Sequence, residues 1–214
     1  PSGEVCMGCG WTVKDTDWSR VTAIEVANGS SLRQGGPAAG LRFWDDLLKQ
    51  GYRLTAIGGS DNHDATDRAG AKQPPIGYPT TAVYSSGLST KAIIEGVRSG
   101  RVFIDLANTP AASLDLSVHV GLQTTRMGGR ITLGPNEAAT VDALVSGQPA
   151  GATLTLIAHN LTIDGAAATQ IDNAAAQVRI ALTPGATHAY LRPEIRDAAG
   201  KILMIGNAIY VGPR

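Results

Sequence analysis

Cysteine is scarce in this chain of 214 residues, which holds two, and aromatic side chains make up only 5%. The two cysteines stand together in Cys6-Met7-Gly8-Cys9. One such pair supplies half of a four-thiolate zinc site, and no second pair follows. A thioredoxin-type redox motif needs a strand before it, and nothing apolar precedes Cys6. The pair therefore reads as a local disulfide or as two free thiols. Neither charge is in excess, since 18 basic residues balance 18 acidic ones. Without a basic patch or an acidic tail, neither nucleic acid nor an anionic membrane surface is an expected partner. No apolar run approaches the roughly 20 residues that a transmembrane helix needs. An initiator Met and a signal peptide are missing too: the chain opens on Pro1-Ser2-Gly3, as after processing or a proteolytic cut. What remains is an ordinary globular composition, 43% hydrophobic, enough for one large domain or two modest ones.

The first half alternates strand and helix patterns. Residues 1–20 show no period and read as a structured loop. Thr22–Val26 is a strand closed by Asn28-Gly29. Pro37 opens a helix that runs to about Gln50, with Leu41, Trp44, Leu47 and Leu48 on one face and Gly51 as the residue that ends it. Leu54–Ile57 is a short buried strand. Residues 64–78 form a long polar loop, of a length often used for lids or binding loops. Arg68, within it, is placed to meet an anionic substrate group or simply to face solvent. Thr80–Tyr84 is a strand, Ser89 caps a helix through Val97, Gly100 closes it, and Arg101–Ile104 begins another strand. This alternation predicts α/β structure with parallel pairing.

From Ala111 onward amphipathic helices are lacking. Short apolar or alternating runs replace them, at Leu114–Val120, Arg130–Leu133, Ala139–Val145, Ala152–Ala158, Gln177–Leu182, Ala189–Arg196 and Ile202–Val211. Turn residues such as Gly134-Pro135, Asp164-Gly165 and Ala199-Gly200 separate them. Around seven short strands so spaced predict a β-sandwich. The change of pattern divides the chain into an α/β portion, 1–109, and an all-β portion, 110–214. His119, His159 and His188 lie in the second portion without other ligand-type residues at metal spacing, and read as ordinary hydrogen-bonding histidines.

The stretch richest in chemistry is Ile57-Gly58-Gly59-Ser60-Asp61-Asn62-His63-Asp64, directly beyond a strand. In extended backbone, residues i and i+2 point to one side, so Asp61 and His63 can present a carboxylate and an imidazole to one point. Such ligands suit zinc, manganese or iron. The alternative is a polar loop with a hydrogen-bonded Asp–His pair. Glu25, in the first strand, is either an active-site carboxylate or an acid paired with a neighbouring donor.

Taken in order, these stretches resemble the C-terminal part of a PHP (polymerase and histidinol phosphatase) metal-dependent hydrolase domain, and more narrowly its carbaryl-hydrolase-like CehA/McbA branch. Gly3-Glu4-Val5-Cys6-Met7-Gly8-Cys9-Gly10-Trp11 looks like a recurring loop of that branch, and Ala23–Gly29 like its next strand. Gly59-Ser60-Asp61-Asn62-His63 resembles the superfamily's last metal motif. Gly77–Tyr84 and Ile93–Val102 resemble the end of the domain. Tyr190–Arg196 and Gly206–Val211 are similar to the β-domain that often follows. The resemblance implies the C-terminal part of a distorted β/α barrel followed by a β-sandwich. It implies a centre of two or three divalent ions, with Asp61 and His63 as ligands, and hydrolysis of a phosphate, carboxylic or carbamic ester of a small molecule. Export to the periplasm or secretion is a property of many family members and agrees with the Cys6/Cys9 pair.

The family's His-x-His motif and its other upstream ligands have no counterpart, and about four strands in residues 1–110 are too few to close such a barrel. The resemblance thus implies the C-terminal portion of a longer polypeptide, a truncated fragment. Its site would be incomplete, metal would bind weakly, and activity of the chain alone would be negligible. Strand edges left open would pair with the missing N-terminal segment or with another copy. A different class of reading, a non-catalytic binding or structural module built on the β-sandwich, has little support from a β-region whose aromatics are Tyr190 and Tyr210.

Overall fold

A computed structural model describes residues 11, 13–29, 32, 38–67, 72–109, 111–165, 168–170 and 176–214. Cys6, Cys9 and Arg68 lie outside these residues. In chain order the first elements are β1 (Ala23–Asn28), α1 (Ala38–Lys49), β2 (Thr55–Gly59), β3 (Thr80–Val83), α2 (Thr90–Arg98) and β4 (Val102–Asp105). Next come β5 (Ser113–Val120), β6 (Gln123–Arg126), β7 (Arg130–Leu133), β8 (Ala138–Ser146), β9 (Thr153–His159) and β10 (Leu161–Asp164). The last are β11 (Ala168–Gln170), β12 (Ala176–Leu182), β13 (Ala189–Arg196), β14 (Ile202–Gly206) and β15 (Ile209–Pro213).

Both helices end as their glycines predict. Gly51 adopts φ 91°, its N–H donates to the Leu48 carbonyl, and the Tyr52 N–H donates to that of Leu47. Gly100, at φ 69°, closes α2 likewise, with bonds from Gly100 to Val97 and from Arg101 to Gly96. This crossed pair of bonds satisfies carbonyls that a helix end leaves without partners, and the left-handed residue it requires favours glycine. At the other end of α2, the Ser89 hydroxyl accepts the Ala92 N–H at 3.2 Å, which fills one of the orphan donors there.

The molecule is mostly β-sheet and forms a sandwich. One sheet has five antiparallel strands in the order β10-β12-β8-β5-β6. The other has eight, with β11-β9-β13-β14-β4-β3 in sequence and β15 and β7 attached through β13. Along β5 burial alternates strictly, so Leu114, Leu116, Val118 and Val120 point inward. They meet Phe103, Leu154, Leu191, Ile195 and Met204 from the facing sheet in one core. Three strands were not anticipated: β6 and β11 are short and polar, and β10 is short, with Leu161 and Ile163 half-buried against the sandwich core.

A third layer covers the far side of the eight-stranded sheet. Trp44, Leu47 and Leu48 of α1 and Ala56 of β2 share a second core with Ile104, Tyr190 and Ile205. Strands β4 and β13 are consequently buried on both faces. Along β13 the even positions face α1: Tyr190, Arg192 and Glu194. The odd positions Leu191 and Ile195 face the sandwich.

The expected parallel pairing holds for β1 and β2, which form a separate two-stranded sheet. It fails for β3 and β4, which run antiparallel, with β4 bonded onward to β14. The reversal follows from that partnership, which makes β3 and β4 the edge of the large sheet. The described residues therefore show no closed β/α barrel. The division at residue 109 marks a change of composition, while the hydrogen-bonded sheet runs across it. The run Ile202–Val211 is likewise two strands. Pairing along β13 shifts by one residue between Leu191↔Ile209 and Glu194↔Ile205, so the link between β14 and β15, at Asn207 and Ala208, carries one residue more than the stretch of β13 it faces.

Candidate functional site

β2 carries the focal stretch, and side chains hold it where a backbone ladder would be expected. Among the described residues its only ladder partner is β1. On the other side Asn207, 1% exposed, accepts the Ala56 N–H at 2.7 Å and donates to the Ala56 and Val102 carbonyls at 3.0 and 2.9 Å. Thr81 is linked to both Gly58 N–H and Gly58 carbonyl through its hydroxyl. Gly58 must be glycine, because a Cβ there would lie 2.9 Å from both the Ala27 carbonyl and the Ile104 methyl. Neither Asn207 nor Thr81 stood out as a site-forming residue in the sequence. They act across 151 and 23 residues of chain, a relation no local pattern carries.

Beyond Gly59 the chain turns instead of staying extended, with Asp61 at φ 53°. Asp61 and His63 do meet, although a turn brings them together and strand alternation does not, and they meet as a hydrogen-bonded pair. His63 Nε2 lies 2.8 Å from Asp61 Oδ1. Both are accessible, with side-chain exposures of 74% for His63 and 36% for Asp61. Asn62, between them, points away and fixes the loop: its Nδ2 donates to the Pro74 carbonyl at 2.7 Å and its Oδ1 accepts the Asp64 N–H at 2.9 Å. Asp67 closes the far side of the same loop by accepting the N–H groups of Lys72 and Gln73 at 2.7 and 2.8 Å. Asp64 is a turn-forming residue. Bonds from the Thr66 hydroxyl and N–H hold its carboxyl below the usual carboxylate range.

Glu25 reaches this end of the sheet from β1. In the parallel register it stands beside Ile57, and its Oε1 lies against Gly59. Packing around the carboxyl pushes its pKa up, the Asn28 amide at 3.4 Å opposes the shift, and the charge of Asp61 adds to it. Two carboxylates and an imidazole thus gather at the C-terminal ends of two parallel strands, where open α/β sheets place their ligands. The donor types suit a divalent cation. Their number falls short: among the described residues no group of three His, Cys, Asp or Glu side chains converges closely enough to hold a metal ion.

Of the other histidines, His119 and His188 make ordinary hydrogen bonds. His119 Nδ1 lies 2.9 Å from the Thr124 hydroxyl, and Nε2 lies 3.0 Å from both the Ser117 hydroxyl and Asp142 Oδ2, tying β5 to β6 and β8. His188 Nε2 bonds the Lys49 carbonyl at 2.6 Å. His159 stacks on Tyr190, 5.7 Å between ring centroids. Burial, with His188 and Lys49 near, holds its imidazole pKa below the ordinary value.

No protein-family model matches the chain, and no curated protein is significantly similar to it.

Proposed function

We propose that Asp61 and His63 are two ligands of a divalent-metal hydrolytic centre of the PHP metallohydrolase type, acting on a small-molecule ester. The observation that carries this reading is the convergence of Asp61 Oδ1 and His63 Nε2 to 2.8 Å in an exposed turn at the C-terminal end of β2. Glu25 beside them leaves an anionic cluster that a cation would neutralise. A bound zinc, manganese or iron ion would lower the pKa of its water towards neutrality and polarise the ester oxygen. The residues of this chain have simpler tasks. Asp61 and His63 supply donors, Asn62 and Asp67 set the turn that aims them, and Asn207 and Thr81 fix the strand from which the turn springs.

The barrel context belongs to the same proposal. β1 and β2, parallel and adjacent, are the pair that such a barrel would continue from the free edge of β1. Elemental analysis of the full-length protein purified with its metal tests the assignment, comparing it with Asp61→Ala and His63→Ala. Each substitution is expected to abolish metal loading, together with hydrolysis of p-nitrophenyl phosphate or acetate. Unchanged metal content in both variants would overturn the assignment.

A further inference from the structure

At the opposite end of β2 from Asp61 and His63, two depressions meet at a common wall made of Arg53 and Tyr210. The larger, about 340 Å³, is lined also by Arg98 and by the backbone of Ser99, Gly100, Gly128 and Gly129. The smaller, about 200 Å³, is lined also by Arg130 and His188. No acidic residue lines either one. None of the three arginines makes an ion pair among the described residues, whereas Arg101, Arg126, Arg192 and Arg196 all do. In a chain of zero net charge, this is a local concentration of uncompensated guanidinium. Such groups recognise carboxylate and phosphate through paired N–H donors.

The walls are firm. Gly128, at φ 82°, brings the turn after β6 so close to the end of α2 that a Cβ on it would lie 1.8 Å from the Ser99 carbonyl. The backbone donors facing the larger depression are already used: Gly100 N–H goes to Val97, Gly128 N–H to Ala208 and Gly129 N–H to Arg126. The hydroxyls of Thr55 and Ser99 donate to the Val97 and Gly96 carbonyls. The Gly96 and Val97 carbonyls in the last turn of α2 are thus satisfied, and Arg98 complements what remains of its dipole. The guanidinium groups offer N–H donors to a ligand that brings acceptors. The Arg53 guanidinium carbon lies 6.0 Å from the centroid of the Tyr210 ring, the other residue that lines both depressions.

We infer that these joined depressions bind one small molecule bearing two or more anionic groups, one held between Arg98 and Arg53 and the other between Arg53 and Arg130. Phosphate and carboxylate share this chemistry. The site is remote from the Asp61–His63 turn and does not depend on the hydrolytic reading.

Isothermal titration of the metal-free protein at low salt, with tripolyphosphate, tricarballylate and inorganic phosphate as probes, tests the inference. One or both multivalent anions should bind at least about tenfold tighter than phosphate, with affinity falling as salt rises. The tighter of the two identifies the ligand chemistry. Arg53→Gln should weaken that binding about tenfold or more, and Arg98→Gln and Arg130→Gln each by a smaller factor. Asp61→Ala should leave it unchanged. All three arginine variants change exposed or groove-lining side chains, and a melting temperature taken on each verifies that it is folded. Multivalent anions binding no tighter than phosphate, or affinity equal to wild type in both Arg53→Gln and Arg98→Gln, would refute the site.

Discussion

Asn207 supplies β2 with the hydrogen bonds that a neighbouring strand would otherwise give. Its carboxamide meets the N–H and the carbonyl of Ala56 and also takes up the Val102 carbonyl, all in a fully buried setting. Removing it leaves three buried backbone groups without partners. At roughly 1 kcal/mol for each, Asn207→Ala is expected to cost about 3 kcal/mol of unfolding free energy, read from the urea midpoint at constant m-value. Asn207→Asp should fare no better, because a carboxylate keeps the bond from the Ala56 N–H but turns a charge towards two carbonyl oxygens. A loss under about 0.5 kcal/mol in both variants would show that β2 is held by packing alone. The residue is visible in the sequence only as part of Gly206-Asn207-Ala208-Ile209. Its role depends on the irregular link between β14 and β15 in which it sits, and on a partner 151 residues away.

Among the elements, α1 is docked by charge as well as by its apolar face. Asp45 accepts Arg192 Nε at 2.8 Å and Nη2 at 2.7 Å, while Arg192 Nη1 donates to Glu194 at 2.7 Å. Glu194 in turn bonds Arg196, and the Trp44 ring lies 5.2 Å from the Arg192 guanidinium carbon. Burial disfavours the Arg192 cation, but Asp45 and Glu194 outweigh it and raise the pKa above the ordinary arginine value. Buried pairs are costly to break and often neutral to replace whole. Arg192→Met alone is expected to destabilise by about 3–5 kcal/mol. The triple change Asp45→Leu, Arg192→Met and Glu194→Leu should recover most of that in a denaturant titration. If the single variant is as stable as wild type, the network contributes nothing to docking. The helix itself was legible, because caps and apolar spacing are local. The network was not: Arg192, Glu194 and Arg196 alternate along β13 as an exposed strand face would, and only the layer laid over that face makes them interior.

For the whole molecule the same layer decides what counts as a unit. Composition divides the chain at residue 109, yet β4, before that point, bonds β14, after it. Co-expression of residues 1–109 and 110–214 as separate chains is expected to give a soluble heterodimer, whereas either alone aggregates, since each exposes an open strand edge and half of a core. Recovery of either part as a soluble, cooperatively unfolding monomer would show that the boundary is structural after all. The sandwich was readable from alternating runs and turns. The antiparallel join of β3 and β4 was not, because pairing direction is set by partners distant in sequence.

β13 also sets how freely this sequence can vary. A strand at a surface has every second position open to almost any polar residue. β13 has none: from Ala189 to Ile195 each residue is buried, alternately required to be apolar on one side and to complete a charge network on the other. Drift in this segment is confined to paired changes, with α1 on one face and the five-stranded sheet on the other. Seven consecutive residues are thereby held nearly fixed by packing alone, whatever chemistry the ends of β2 perform.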